Sequence, residues 1–336
     1  MSENPVYKKK DFVSDQEVRW CPGCGDYAIL AAVQLAMTKL GQRKEDIAFI
    51  SGIGCSSRFP YYMNTYGLHT IHGRAPAFAT GLKTFNPKLS TWVITGDGDG
   101  LSIGGNHLIH AIRRNVDLNI ILFNNEIYGL TKGQYSPTSK PGLVTKSTPY
   151  GSIDTPFNPA LLGLGAGSTF FARTLDTDPK HMQETFLKAA AHKGASFIEV
   201  LQNCVIFNDA VHEEFTNRKK WDETTVRIEH GKPMIFGAEK NKGLVLDGFN
   251  PKVVTIGENG VKEEDILVHD ETNINIANML ASLPSPEFPK PLGVIRSVNS
   301  PVYDTAVQAQ VDDVKAKKGA GDMQALLESG ETWEVK

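Results

Sequence analysis

One stretch of the sequence, residues 91–123, restricts the fold more than any other. It contains a short apolar strand, Thr91–Thr95, a glycine-rich loop, Gly96–Gly100, a helical pattern, Ile103–Arg114, and a second apolar strand, Leu118–Phe123. Two strands joined in this way form a βαβ unit, in which both strands are parallel. The sequence therefore predicts an α/β fold with a mostly parallel sheet flanked by helices, and a ligand site at the carboxyl ends of the strands.

Similar patterns on both sides of this unit extend the prediction along the chain. Helices are predicted at Asp26–Leu40, Ala75–Lys83, Pro179–His192 and Ile274–Leu283, and strands at Ile47–Ile50, Phe170–Phe171, Phe197–Leu201, Ile266–Val268 and Val294–Ile295. We expect a polar N-terminal arm over residues 1–19, a main domain over residues 20–210 and a partner-contacting C-terminal extension over residues 211–336. Within this extension, the segment Pro284–Pro291 is predicted to be a linker and the residues from Thr305 onward an extended tail.

Charge and hydropathy exclude several classes of partner. The net charge of the 336 residues is −3, which gives no reason to expect a nucleic-acid or anionic-membrane partner. The sequence has no apolar run long enough for a membrane span, and the lysines near its start are not followed by the apolar segment of a secretory signal. We therefore expect a cytoplasmic protein with reduced thiols.

The glycine-rich loop has the sequence Gly96-Asp97-Gly98-Asp99-Gly100. A dinucleotide fingerprint would need a further glycine where Leu101 stands, and no Walker lysine follows. Two carboxylates near a phosphate repel it unless a divalent cation lies between them, and Mg²⁺ prefers carboxylate, amide and phosphate oxygens. Asn125, at the end of the next strand, can supply an amide oxygen at the same edge. The alternative is a glycine-rich turn that binds no ligand.

The four cysteines of the chain indicate a metal site. Cys21 and Cys24 form a CxxC pair, whereas Cys55 and Cys204 lie in separate segments. Four thiolates supplied in this way suit a four-iron, four-sulfur (4Fe-4S) cluster. They also suit a Cys₄ zinc site, and ligand chemistry alone leaves both possibilities open.

The order of several short motifs identifies a family resemblance. A GDG followed by NN resembles the signature of thiamine-diphosphate enzymes. The longer series resembles the β subunits of 2-oxoacid:ferredoxin oxidoreductases, over residues from about 15 to 210. The motifs are Trp20-Cys21-Pro22-Gly23-Cys24-Gly25, Gly52-Ile53-Gly54-Cys55-Ser56, His72-Gly73-Arg74-Ala75, Gly96-Asp97-Gly98-Asp99 and Tyr128-Gly129-Leu130-Thr131-Lys132-Gly133-Gln134.

The resemblance implies specific roles for these residues. Asp97, Asn125 and the Ile127 carbonyl would bind Mg²⁺, and all four cysteines would ligate one 4Fe-4S cluster. The residues implied to bind thiamine diphosphate are Ile53, Gly54, Cys55, Ser56, His72, Gly73, Arg74, Ala75, Gly98, Asp99, Gly129 and Leu130. Arg58 and Lys132 are candidates for contacting a substrate carboxylate, with an ordinary surface or cofactor-facing role as the alternative.

The resemblance also implies a reaction and partners. The expected activity is the reversible, coenzyme A-dependent oxidative decarboxylation of a 2-oxoacid, with electrons passed to ferredoxin. We prefer 2-oxoglutarate as the substrate, with pyruvate as the alternative. A separate α subunit would supply the activating glutamate and the coenzyme A site, in an α/β heterodimer or a dimer of heterodimers. The rival classes are a non-redox thiamine-diphosphate decarboxylase with a structural metal site, a zinc-bearing binding protein and a nicotinamide dehydrogenase.

Overall fold

A computed structural model describes residues 5–335 of the chain, so the first four residues of the predicted arm and Lys336 at the end of the predicted tail lie outside it. The α-helices are α1 (Asp26–Met37), α2 (Ala75–Phe85), α3 (Gly105–Arg113), α4 (Pro159–Gly165), α5 (Pro179–Ala191), α6 (Glu213–Thr216), α7 (Trp221–Thr224), α8 (Ile274–Ser282), α9 (Tyr303–Lys318) and α10 (Met323–Leu327). The 3₁₀ helices are Lys9–Phe12, Lys44–Asp46, Ser56–Tyr62 and Glu263–Asp265, and Asp99–Ile103 forms a π-helix.

The strands are β1 (Ile47–Ser51), β2 (Tyr66–His69), β3 (Ser90–Gly96), β4 (Asn119–Asn124), β5 (Phe170–Leu175), β6 (Ser196–Leu201), β7 (Thr225–Ile228), β8 (Ile235–Phe236), β9 (Lys242–Asp247), β10 (Asn250–Thr255) and β11 (Lys290–Ser297). Within residues 5–335, eight of them form one sheet in the order β2-β1-β3-β4-β6-β5-β11-β7. The first six are parallel, and β11 pairs antiparallel with β5. The predicted mostly parallel sheet is confirmed.

Helices cover both faces of this sheet because its central strands are buried and largely apolar on both faces. Along β3, Trp92 and Ile94 point to the side covered by α1 and α5, whereas Val93 points to the side covered by α2, α3, α4 and α8. The helix Asp26–Leu40 was predicted three residues too long, since the chain turns after Met37. None of the helices in the described part of the chain is both long and apolar enough to cross a membrane.

The C-terminal third differs from its prediction in three places. Ile266–Val268 is not a strand, because only Val268 makes an isolated bridge, to Pro233. The segment from Thr305 is not extended but lies mostly in the exposed helices α9 and α10, whose many alanine, lysine and glutamine residues favour helix. The predicted linker Pro284–Pro291 runs into β11, which together with β7 completes the main sheet.

Candidate active site

The carboxyl ends of the parallel strands meet at one edge of the sheet and surround a cavity of about 570 Å³. We call it the aspartate cavity. It is lined by Ile53, Gly54, Cys55, Ser56, His72, Gly96, Asp97, Gly98, Asp99, Asn125, Ile127, Tyr128, Gly129, Leu130, Thr131 and Gln134. These residues lie at or directly after the ends of β2, β1, β3 and β4, which are neighbours in the sheet. The position is the one at which open α/β sheets bind ligands.

Most of the residues predicted to bind the cofactor lie in this lining, and three do not. Gly73 is buried behind the wall, where its main-chain N–H donates to Asp99 over 2.7 Å. Ala75 is fully buried at the start of α2. Arg74 is exposed and its guanidinium contacts His107. The motif His72-Gly73-Arg74-Ala75 therefore contributes only His72 to the cavity.

The Asp97 carboxylate is buried and held by two hydroxyls. Its Oδ2 accepts hydrogen bonds from Ser136 Oγ and from Thr138 Oγ1, the latter over 2.6 Å. Burial raises the pKa of Asp97 above its usual range, against the lowering effect of these two hydroxyls. A cation in the cavity would offset the cost of keeping this carboxylate charged. The donor set is therefore suited to a hard divalent ion.

Asn125 and Ile127 lie in the same wall as Asp97. The Asn125 Oδ1 accepts a hydrogen bond from the Ile127 main-chain N–H over 3.2 Å, so the two residues form a compact turn directly after β4. This turn includes Glu126 in the left-handed region, at φ 56°. The three predicted Mg²⁺ ligands thus line one cavity, with carboxylate, amide and main-chain oxygens available.

Asp99 lines the cavity, but its oxygens are already bound by donors of this chain. Oδ1 accepts from the main-chain N–H groups of Ile53 and Gly73 and from His72 Nδ1, over 2.9, 2.7 and 2.7 Å. Oδ2 accepts from Thr95 Oγ1 over 2.6 Å. Asp99 therefore joins the loops that follow β1 and β2 to the end of β3. Its side chain holds the wall of the cavity together.

The predicted loop Gly96–Gly100 is a tight turn into the π-helix, and Tyr128 packs against it. The Tyr128 hydroxyl donates to the Gly98 carbonyl over 2.8 Å. A Cβ atom at position 98 would lie only 2.3 Å from the Tyr128 ring, so the ring and any larger side chain cannot both fit. Glycine at this position thus lets the main chain approach both the ring and the cavity closely.

The four cysteines surround a second cavity, of about 420 Å³, which we call the thiol cavity. Its lining consists of Arg19, Trp20, Cys21, Cys24, Asp26, Cys55, Arg58, Asn125, Gly129, Leu130, Lys132, Gln202, Cys204, Val205, Ile206 and Phe207. The two substrate-carboxylate candidates, Arg58 and Lys132, therefore lie beside the thiols and not in the aspartate cavity. Within residues 5–335, no three His, Cys, Asp or Glu side chains gather closely enough to hold a single metal ion.

The surroundings of the thiols are unfavourable to free thiolates. Burial, and then the nearby Asp26, raise the pKa of Cys24, and the same two causes raise the pKa of Cys55 to about 12. Burial also raises the pKa of Asp26 to about 7, and neither of its carboxyl oxygens has a hydrogen-bond partner among residues 5–335. Four thiolates here would need a bound positive centre to stabilise them, which metal ligation provides.

The two cavities share a wall, which consists of Cys55, Asn125, Gly129 and Leu130. At Gly129 the wall is only as thick as the main chain. A Cβ atom added there would lie 3.5 Å from Cys55 Sγ and 3.6 Å from Cys204 Sγ. A group bound in the aspartate cavity would therefore lie next to a group bound by the cysteines.

Comparisons with known proteins identify the family to which this chain belongs. A family model described as "Thiamine pyrophosphate enzyme, C-terminal TPP binding domain" matches residues 52–200. The 2-oxoglutarate oxidoreductase subunit KorB of Mycobacterium tuberculosis is 51% identical over 333 residues, covering 98% of this chain and 88% of that protein. The chain belongs to the family of 2-oxoacid:ferredoxin oxidoreductase β subunits.

Two further β-subunit comparisons agree. The 2-oxoacid:ferredoxin oxidoreductase subunit beta of Saccharolobus solfataricus is 47% identical over 208 residues, 61% of this chain and 68% of that protein. Among solved structures, a 2-oxoglutarate:ferredoxin oxidoreductase from Magnetococcus marinus with 2-oxoglutarate, coenzyme A and succinyl-CoA bound aligns with a TM-score of 0.77 and 33% identity, over 97% of each chain. The predicted family, the thiamine-diphosphate-binding fold and the oxidoreductase activity on 2-oxoacids are confirmed.

Sequence reasoning missed a buried polar network beneath the site of this β subunit. The Asn124 side chain donates to Glu199 Oε1 over 2.8 Å, and Arg173 Nε donates to Glu199 Oε2 over 2.7 Å. Burial alone would raise the pKa of Glu199, but Arg173 and Asn124 hold it below its usual range. The His212 Nε2 donates to the Asn124 carbonyl over 2.9 Å. The network fixes the end of β4, from which Asn125 projects.

Ser136, Thr138 and Gln202 were also missed, and Tyr128 was noted only as part of a motif, without a role. The first two carry no recognisable motif, and they reach Asp97 only because the chain after β4 folds back over the cavity. Gln202 did have a signal, because it directly follows β6 and so lies at the same sheet edge as the other site residues.

Proposed function

We propose that this β subunit binds Mg²⁺, thiamine diphosphate and one 4Fe-4S cluster. With an α subunit, it would catalyse the reversible, coenzyme A-dependent oxidative decarboxylation of a 2-oxoacid, with electrons passed to ferredoxin. The observation that carries the proposal is the wall shared by the aspartate and thiol cavities. A purely decarboxylating enzyme would need the first cavity but not four thiols beside it.

In the aspartate cavity, Asp97, Asn125 and the Ile127 carbonyl would hold Mg²⁺, which in turn holds the diphosphate. Gly98 and Gly129 have no side chains, so their main chain can lie directly against a bound cofactor. The hydroxyls of Ser136 and Thr138 orient the Asp97 carboxylate. Removing such outer partners weakens metal affinity because the ligand itself loses its orientation.

In the thiol cavity, Cys21, Cys24, Cys55 and Cys204 would ligate the cluster. All four are free thiols in the structure, which fits a reducing, cytoplasmic setting. The positive charge of Arg58 lowers the pKa of Cys55, against burial and Asp26, which raise it. Arg58 and Lys132 are thus placed to balance thiolate charge, or to meet a substrate carboxylate that reaches the shared wall.

When bound, thiamine diphosphate would supply the nucleophilic carbon and electron sink for the loss of CO₂, and the cluster would accept electrons singly. The residues of this chain would position the two bound groups and keep them apart. Leu130 and Gly129 separate the two cavities, and Asp99 fixes the loops that line the first. Within the described residues, the lining of the aspartate cavity contains two aspartates and no glutamate. This supports an α subunit that supplies the activating glutamate, and we propose that the same subunit also supplies the coenzyme A site.

2-Oxoglutarate is the substrate we propose, with pyruvate as the alternative. The names of the M. tuberculosis relative and of the M. marinus structure support this choice, since both specify 2-oxoglutarate. We also propose that residues 211–336 contact the partner. The exposed apolar side chains of α10, Met323, Leu326 and Leu327, support that assignment.

The test is anaerobic purification of the complex with its α subunit, followed by measurement of iron, zinc, thiamine and coenzyme A-dependent ferredoxin reduction over a panel of 2-oxoacids. We expect iron and thiamine together, with 2-oxoglutarate as the best substrate. Two variants separate the sites: Cys204→Ser should lose iron and keep thiamine, whereas Asp97→Asn should lose thiamine and keep iron. Zinc in place of iron, or turnover by the isolated β subunit, would contradict the proposal.

A further inference from the structure

The side chain of Gln202 connects the two cavities. It is fully buried, directly after β6, and lines the thiol cavity. Its Oε1 accepts a hydrogen bond from Asn125 Nδ2 over 2.8 Å. Its Nε2 donates to Cys24 Sγ over 3.4 Å and to the Asn203 carbonyl over 2.6 Å. One amide thus contacts both a proposed Mg²⁺ ligand and a proposed cluster ligand.

The orientation of this amide is determined by the Asn203 carbonyl. A carbonyl only accepts hydrogen bonds, so the end of the Gln202 side chain that faces it must be the NH₂ group. Oε1 then faces Asn125, and it can accept only from the NH₂ group of that side chain. The Asn125 Oδ1 is consequently placed on the other side, where it accepts from the Ile127 N–H.

Each end of the Gln202 amide therefore contacts a residue that is proposed to coordinate a metal. At one end, the amide oxygen of Asn125 is kept available for a cation, since a flipped amide would present N–H donors to it. At the other end, an N–H donor points at the Cys24 sulfur. Such donors stabilise the extra negative charge of a reduced cluster and so make its reduction potential more positive.

We propose that Gln202 is a positioning residue that orients the Asn125 oxygen toward Mg²⁺ and, through its bond to Cys24, raises the reduction potential of the cluster. The inference rests on the proposed function, because it requires both groups to bind. It adds that a single side chain sets a property of each site.

The test uses the anaerobically purified α/β complex and two substitutions. Gln202→Met keeps the length of the side chain and removes all three of its hydrogen bonds, to Asn125, Cys24 and the Asn203 carbonyl. Gln202→Glu retains an oxygen toward Asn125 but replaces the donor to Cys24. Gln34→Leu is the matched control, because Gln34 is another buried amide that donates to a main-chain carbonyl, that of Tyr62, away from both cavities. The readouts are Mg²⁺-dependent thiamine diphosphate affinity by calorimetry and cluster potential by a redox titration followed by electron paramagnetic resonance.

We expect Gln202→Met to weaken Mg²⁺-dependent cofactor binding by about 10-fold to 100-fold and to make the cluster potential more negative. Gln202→Glu should shift the potential and leave cofactor binding close to that of the wild type. The control Gln34→Leu should change neither the cofactor affinity nor the cluster potential. If Gln202→Met gives no folded complex, the potential of Gln202→Glu is sufficient to test the inference. An unchanged potential in Gln202→Glu would overturn the inference. A wild-type complex without iron or thiamine would instead refute the proposed function.

Discussion

Replacing Asp99 tests whether this carboxylate holds the wall of the aspartate cavity or binds the cofactor directly. In the structure, Asp99 accepts four hydrogen bonds, from the main chain of Ile53 and Gly73 and from the side chains of His72 and Thr95. Asp99→Ala leaves two main-chain N–H groups and two side-chain donors without an acceptor. At about 1–3 kcal/mol for each unsatisfied main-chain group, the loss should reach about 4 kcal/mol of unfolding free energy.

Asp99→Asn is the matched variant. Its oxygen can keep the three bonds made by Oδ1, and its NH₂ group can donate to the Thr95 hydroxyl. Only the strengthening of these hydrogen bonds by the negative charge is lost, so we expect the unfolding free energy to fall by about 1–2 kcal/mol. Both variants should be compared with Asp313→Asn, which removes an exposed pair with Lys317 and should cost under about 0.5 kcal/mol.

The assay is equilibrium urea unfolding of the purified subunit, followed by fluorescence of its tryptophans, of which Trp92 is fully buried. Cofactor affinity is measured in parallel on the α/β complex. If Asp99 holds the wall, stability and affinity should fall together, and more in Asp99→Ala than in Asp99→Asn. An Asp99→Ala protein with nearly unchanged stability but no cofactor binding would refute this reasoning and identify Asp99 as a direct ligand.

Three further predictions follow from single residues. Gly98→Ala should lower cofactor affinity and stability by about 1–3 kcal/mol, because the new methyl group displaces the Tyr128 ring. The control in the same unfolding and binding assays is Gly105→Ala in α3, whose new methyl group would meet no atom of the described part of the chain within 4 Å. Burial holds the pKa of His212 at about 4, below the 6.5 of the unfolded chain, so only the unfolded state takes up this proton as the pH falls from 6.5 to 4. His212 should therefore contribute a loss of up to about 3 kcal/mol of unfolding free energy over that range, and urea titrations at several pH values should show a total loss smaller by this amount in His212→Gln, in which His181, with a pKa also held at about 4, still contributes. Arg58→Met should make the cluster potential more negative, whereas Arg58→Lys should leave it nearly unchanged in redox titrations, because only the first removes a positive charge from the thiol cavity.

The parts of the site that sequence could predict are those determined locally. The strand ends before Asp97 and Asn125 follow from short apolar runs, and parallel pairing brings such ends to one edge. The four cysteines could be grouped because their residue type restricts their chemistry. The role of Asp99 could not be predicted, because its partners Ile53 and Gly73 are distant in sequence and use main-chain atoms.

The C-terminal third was least predictable for the same reason. Strand β11 joins the sheet beside β5 in the antiparallel sense, and no local pattern specifies that neighbour. Its pairing with β7, which precedes it by about sixty residues, is equally non-local. By contrast, α9 could have been predicted from helix propensity, and its assignment as an extended tail gave too much weight to its charge.

Gly129 limits how this protein can be redesigned. Because glycine has no side chain, only main-chain atoms separate the aspartate cavity from the thiol cavity at that point, and a methyl group added there would already be in van der Waals contact with Cys55 Sγ and Cys204 Sγ. Neither the aspartate cavity nor the thiol cavity can be enlarged at this point without changing the shape of the other. An engineer who wished to install electron transfer in a non-redox thiamine enzyme would therefore have to rebuild this turn first, before adding any cysteine.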